Sequence, residues 1–202
     1  MLSIIHAAGW PIYFLIVASV IALALIIERA IALRQRRVIP ANLLVKAIDD
    51  FRRQGANSEL LSRLAGNSAL GRVLAAGLRN VKTSREVMKE SIEEEGRAVK
   101  HELERFLTSL GTIASISPLM GLFGTVVGMI EIFGSQSPSN SDPQALAHGI
   151  SVALYNTGFG LVIAIPSMIF YRHYRAKVDG LVVEMEQQAI KLVEILHGDR
   201  AA

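Results

Sequence analysis

Three runs free of Asp, Glu, Lys and Arg dominate the hydropathy pattern: Trp10 to Ile27, Phe106 to Ile130 and Gly149 to Tyr171. Each reaches the roughly 18 to 20 apolar residues needed to cross ~30 Å of hydrocarbon, so three membrane-spanning helices are predicted, at 10–33, 106–133 and 149–171. Between the first two, apolar residues recur at helical spacing in three short groups: Leu43, Leu44, Ala47, Ile48 and Phe51; Leu60, Leu61 and Leu64; Leu70, Val73, Leu74 and Leu78. Breaks are expected at Gly55 to Asn57 and at Gly66 to Asn67, where Gly and Asn favour turns. No strand pattern is seen. The expected fold class is an all-α integral membrane protein.

The second and third spans are predicted to continue beyond the bilayer. From Arg85 to Glu104 the chain is charged but helix-favouring, with Val87, Ile92, Val99 and Leu103 as a thin apolar stripe, and no breaker separates it from the second span. One helix from about Arg85 to Phe133, roughly 70 Å long, is expected. After the third span, Val178, Leu181, Met185, Ala189, Leu192 and Leu196 form a seam like that of a coiled coil. Such a seam needs a partner helix, supplied either by 85–105 of the same chain or by another subunit.

Charge gives the orientation. Fifteen of the 21 Lys and Arg residues lie between Arg34 and Arg105. Arg172, Arg175 and Lys177 follow the third span at once, whereas Gly134 to His148 holds no Lys or Arg. Basic residues close to span ends stay in the cytoplasm. The expected layout is therefore a periplasmic 1–9, a cytoplasmic helical segment 34–105, a periplasmic connector 134–148 and a cytoplasmic helix 172–202, in a bacterial inner membrane. A cleaved signal peptide at 10–27 is disfavoured, because no Lys or Arg precedes it and no small-residue cleavage site precedes Glu28. Net charge +3 and a pI near 9.4 look basic. Their concentration beside the membrane points to topology and anionic headgroups rather than nucleic acid. Without cysteine, neither disulfides nor thiolate metal sites arise.

The spans themselves carry hydroxyls and small residues. Thr108, Thr112, Ser115 and Thr125 share the second with Gly121, Gly124 and Gly128; Ser151, Asn156, Thr157, Gly158, Gly160, Ala164 and Ser167 lie in the third. Small residues let helix backbones approach closely where lipid removes the hydrophobic drive. A hydroxyl taken singly is more often bonded to its own helix than functional. Asn156 demands partners within the bilayer. No Asp, Glu, Lys or Arg lies near the middle of any span, and Glu28 and Glu131 sit near span ends. Intramembrane carboxylates are the usual proton carriers, so a proton acceptor would have to come from another polypeptide.

Two phrases carry a resemblance: Gly121 to Met129 (GLFGTVVGM) and Ala153 to Pro166 (ALYNTGFGLVIAIP). Both resemble the MotA/TolQ/ExbB proton-channel family, and the three-span layout is closer to ExbB, then TolQ, than to four-span MotA. The resemblance implies a homopentamer around a central pore that encloses a dimer of single-span ExbD-like or TolR-like subunits bearing an intramembrane Asp. It also implies a TonB-like or TolA-like transducer. Thr125 and Thr157 match the family threonines facing that Asp, with Asn156, Ser151, Ser115 and Thr112 as further pore-lining candidates. Gly121, Gly124, Gly128, Gly158 and Gly160 are the expected packing positions. One departure is Val152, where many ExbB and TolQ sequences carry Glu.

The function expected is a proton-channel motor subunit that couples proton-motive force to outer-membrane transport. The alternatives are a TolQ-like subunit for envelope constriction and a non-conducting scaffold. An enzyme is not expected: His6, His101, His148, His173 and His197 are isolated, no glycine loop followed by Lys would hold nucleotide, and no organic cofactor or metal is indicated. Glu93, Glu94 and Glu95 with Arg97 and Lys100 read as a solvated helix face, or, in a ring, as a cation-concentrating vestibule.

Overall fold

The computed structural model describes residues 9–135 and 143–198. Every element among them is helical: α1 (Pro11–Ala32), α2 (Gln35–Val38), α3 (Leu43–Gln54), α4 (Ser58–Asn67), α5 (Ala69–Arg79), α6 (Arg85–Glu104), α7 (Leu107–Ser135) and α8 (Pro143–Leu196). Three helical stretches are long and apolar enough to cross a membrane, beginning at Pro11, at Arg85 and at Gly149. The chain divides into two compact units. One comprises Met1–Glu28 with Phe106–His173, the other Arg29–Arg105 with Tyr174–Ala202.

The apolar unit contains most of α1, α7 and the first part of α8. Ile12, Leu15 and Ala22 form the buried face of α1, whereas Val17, Val20 and Leu23 are exposed. Large apolar side chains facing outward all along three helices suit a hydrocarbon solvent. The helices overrun the apolar runs that defined them. Helix α7 continues to Ser135, and α8 is already formed at Pro143 rather than Gly149. Proline fits there because the first helical turn has no use for its missing N–H. The rest of the expected connector, 136–142, lies outside the described residues, as do the terminal 1–8 and 199–202.

In the second unit α5 is the centre, with Leu70, Val73, Leu74 and Leu78 buried on one side and Ala75 and Ala76 on the other. Its neighbours α4 and α6 lie along it, and α2 and α3 touch it. The C-terminal seam packs into this unit: Val178, Leu181, Met185, Ala189 and Leu192 are all buried. Its partner is therefore in the same chain. A β-carbon on Gly77 of α5 would lie 3.0 Å from the Ile92 Cδ1 atom of α6 and 3.2 Å from the Leu192 Cδ2 atom of α8, so the three helices meet there. Arg72 adds a polar clasp, with its guanidinium 2.7 Å from Glu95 and 2.5 Å from Glu102. Burial works against its charge, yet these two carboxylates outweigh that and hold its pKa above the ordinary value.

Two breaks differ from expectation. Helix α4 runs through Gly66 and Asn67 and stops at Ser68, which is extended (φ −166°, ψ 171°) and accepts a hydrogen bond from the Gly71 amide at 3.1 Å. The side-chain cap, not the glycine, sets the boundary. Between α6 and α7, where one continuous helix is expected, α-helical bonding lapses at Arg105 and Phe106. Arg105 keeps right-handed helical angles (φ −45°, ψ −44°), but its amide bonds back to Glu102, three residues away. Nearby, the guanidinium of buried Arg29 donates to the Leu103 carbonyl at 3.1 Å. A cation beside the last carbonyls of α6 stabilises a helix end at that point.

Candidate functional site: a glycine seam beside two threonines

Helices α7 and α8 touch along small residues, because side chains at these positions would hold the backbones apart. A β-carbon on Gly121 would lie 2.7 Å from the Asn156 carbonyl oxygen and 2.9 Å from the Thr157 Cα atom. On Gly124 it would sit 2.7 Å from the Asn156 side chain, and on Gly160 2.5 Å from the Ser117 carbonyl oxygen. Gly128 faces Ala153 at an ordinary 3.4 Å, Gly149 abuts Ile132, and Gly111 lies under the Tyr171 ring. Positions rise along one helix as they fall along the other, so the pair is antiparallel. Contacts under 3 Å with backbone atoms leave no room for any side chain at Gly121 or Gly160.

The expected packing glycines divide. Gly121, Gly124, Gly128 and Gly160 lie in this seam, whereas Gly158 faces open space and does not. Asn156, grouped by sequence with the pore-lining candidates, is 1% exposed and lies over Gly124 within the seam. Its carboxamide replaces the side chain that Gly124 lacks.

Thr125 directly follows Gly124, and Thr157 directly follows Asn156. Both helices are right-handed and run in opposite directions, so one step past the contact row turns toward the same flank of the pair on each. Thr125 and Thr157 therefore share a flank, which also carries the exposed Leu122, Leu154 and Leu161. Phe123, one residue before Gly124, turns away from it, and its ring meets Trp10 edge-on with centroids 5.9 Å apart. The remaining candidates point elsewhere. Thr112 and Ser115 lie on an exposed face of α7, and Ser151 on an exposed face of α8. The side chain at Val152, the departure from the family pattern, lies outside the described residues.

The hydroxyls also differ in what they have left to offer. Thr112 donates to the Thr108 carbonyl, Ser115 to Gly111 and Ser151 to Ala147, each at 2.9 Å, and Thr125 donates to Leu122 at 2.7 Å. Buried Ser117 and Ser167 do the same toward Ile113 and Ile163, both at 2.7 Å. Each of these groups has its one proton committed and keeps lone pairs that can accept. Among the described residues, Thr157 shows no bond of this kind. One threonine of the flank thus acts as an acceptor, and the other retains a donor.

Pro118 and Pro166 sit inside α7 and α8, features to which hydropathy alone is blind. Each is next to a buried serine, Ser117 and Ser167, whose hydroxyl bonds within its own helix. Helix breakers are tolerated in membrane helices where neighbouring groups compensate the freed backbone. No group of three or more His, Asp and Glu able to hold a metal gathers among the described residues.

Residues 65–187 match the MotA/TolQ/ExbB proton channel family. Among curated proteins, a biopolymer transport protein ExbB homolog of Methanothermobacter thermautotrophicus is 24% identical over 187 residues, covering 92% of this chain and 67% of that protein. An ExbB-like biopolymer transport protein of Synechocystis is 31% identical, over 78% of this chain and 77% of the relative. The Tol-Pal system protein TolQ of Pseudomonas aeruginosa is 29% identical, over 91% and 84% respectively.

Proposed function

Because the chain belongs to the MotA/TolQ/ExbB proton channel family, we propose that it is the multi-span subunit of an inner-membrane motor that passes protons and does work on the cell envelope. In this reading, homopentamers place the threonine flank of each α7–α8 pair toward a central pore. A dimer of ExbD-like or TolR-like single-span subunits occupies that pore and brings the acidic group the spans lack. A TonB-like transducer carries the work to outer-membrane transport, with the amino terminus in the periplasm and the carboxy terminus in the cytoplasm.

The observation that carries this reading is the pairing of Thr125 and Thr157 on one open flank of spans with no central ionisable residue. A carboxylate needs donors when charged, and a carboxylic acid needs an acceptor for its proton. Thr157 supplies the first and Thr125 the second, so the pair would stabilise both states of a partner Asp without carrying protons itself. A proton crossing 100 mV releases about 2.3 kcal/mol from the electrical term, so several must pass for one mechanical stroke.

Proton flux into liposomes is the test. Complexes co-expressed with the single-span partner should conduct, and Thr157→Val should abolish that flux while assembly persists. Hydrogen bonds between membrane helices average only about 0.6 kcal/mol, so losing one hydroxyl does not dismantle the complex. Full flux from Thr157→Val and Thr125→Val would remove both residues from the mechanism, and liposomes that stay tight with the partner present would support a scaffold instead. The TolQ relative, alike over nearly the whole chain, supports a second reading in which the work is envelope constriction through a TolA-like transducer. Complementation of strains lacking either system separates the two.

A further inference from the structure

The chain leaves its first span through a short basic turn. Exposed apolar side chains of α1 continue through Ile27 to Ile31, 53% and 46% exposed, so the hydrocarbon-facing row reaches the last turn of the helix. Arg34 follows with extended angles (φ −66°, ψ 127°), and α2 then carries Gln35, Arg36, Arg37 and Val38. The turn is pinned to its own unit. Leu33, Val38 and Ile39 are buried, α2 touches α5, and the Gln35 amide donates to a Glu184 carboxylate oxygen of α8 at 2.9 Å. Arg34, Arg36 and Arg37 all stay exposed. Among the described residues none of these three meets a carboxylate, whereas Arg63 pairs with Asp50, Arg72 with Glu95 and Glu102, and Lys100 with Asp179.

We infer that Arg34, Arg36 and Arg37 form a fixed docking site for the headgroup of an anionic phospholipid, whose acyl chains lie along the exposed row of α1. Depth selects this occupant. Three residues of chain separate Arg34 from Ile31, at most about 10 Å, and the headgroup layer is roughly 5–7 Å thick on each side of the hydrocarbon. Long arginine side chains close the remaining gap by extending toward the interface. Chemistry agrees: a guanidinium offers paired N–H donors that match two phosphate oxygens, a geometry that lysine lacks, and all three basic residues here are Arg. A loose basic tail would attract any anionic surface. A turn held by buried residues instead presents its donors in one place and loses little freedom on binding. The inference requires α1 to be a span, and it is independent of proton conduction and of subunit number.

Native mass spectrometry of the full-length protein in neutral detergent, titrated with phosphatidylglycerol or with phosphatidylcholine, reads the binding. Phosphatidylglycerol should bind in preference. Each of Arg34→Gln, Arg36→Gln and Arg37→Gln should weaken it on the order of fivefold, the equivalent of ~1 kcal/mol per basic residue at a membrane surface. All three side chains are exposed, so the variants keep the fold, and the single variants carry the test if the triple Gln variant misfolds. Replacing all three with Lys keeps the charge without the paired donors, and should fall between the natural chain and the triple Gln variant. A control with Arg52→Gln, Arg53→Gln and Arg79→Gln removes the same charge from exposed positions of α3 and α5 and should leave binding unchanged. Equal loss in that control would reduce the effect to net charge and overturn the inference. Displacement of the lipid by an equal concentration of glycerol phosphate would overturn it in favour of a soluble phosphate. Undiminished phosphatidylglycerol binding by the triple Gln variant would overturn it as well, and leave the arginines for an acidic polypeptide.

Discussion

At Gly160 a single hydrogen atom separates a packed membrane pair from a broken one. A methyl group there would meet the Ser117 carbonyl oxygen at 2.5 Å, and that oxygen belongs to helix backbone that cannot rotate aside. Gly158, two residues earlier, has nothing within 4 Å. Gly160→Ala should therefore destabilise the α7–α8 pair by about 1–3 kcal/mol, the usual cost of overpacking, whereas Gly158→Ala should leave it unchanged or slightly stabilise the helix. Unfolding of the detergent-solubilised protein, followed by circular dichroism, checks the pair of variants. The comparison also marks the limit of spacing as a signal. The glycines expected to pack are plain from sequence as small residues, but which of them meets the partner depends on helix rotation. Gly158 and Gly160 differ by about 200° around α8. Asn156 shows the same limit: its need for partners within the bilayer is plain from sequence, whereas its position over Gly124 depends on how the two helices face each other.

At the level of elements, the break between α6 and α7 depends on a residue far away in sequence. Arg29 is 6% exposed, and its donation to the Leu103 carbonyl takes up one of the carbonyls that an uninterrupted helix would use for itself. Arg29→Leu should let α-helical bonding propagate through Arg105 and Phe106. It should also cost roughly 1.5–3 kcal/mol, the value of a hydrogen bond to a charged group. Slower amide hydrogen exchange at 105–108 in the variant would show the first effect, and a lower unfolding midpoint the second. Local sequence carries no trace of this, since the 85–133 stretch has helix-favouring residues throughout its junction. By contrast, the C-terminal seam was legible as a surface needing cover. What covers it, α5 and α6 of the same chain, was one of two open alternatives, because periodicity describes one face and not its mate. The cap at Ser68 was hidden in the same way behind Gly66 and Asn67, which are more conspicuous turn formers.

For the whole molecule, the hydropathy pattern suffices to place three long apolar helices in a helical protein, because bilayer thickness demands a run of residues that few other structures contain. Any assembly is expressed by a single chain only indirectly, through surfaces left bare, such as the flank that carries Thr125, Thr157 and the exposed Leu122 and Leu154. If that flank faces the single-span partner, as proposed, native mass spectrometry of the extracted complex should find five copies of this chain with two of the partner.

The interlocked seam has a mechanical corollary. Gly121 and Gly160 each admit a backbone from the opposite helix at one height only, and a slip of a single residue would drive the next side chain into that space. Longitudinal shear within the pair is thus blocked, like a key whose teeth are already engaged in the wards. Any motion passed along the pair must tilt or turn α7 and the facing part of α8 together as one stiff stave, and flexing has to be sought outside the seam.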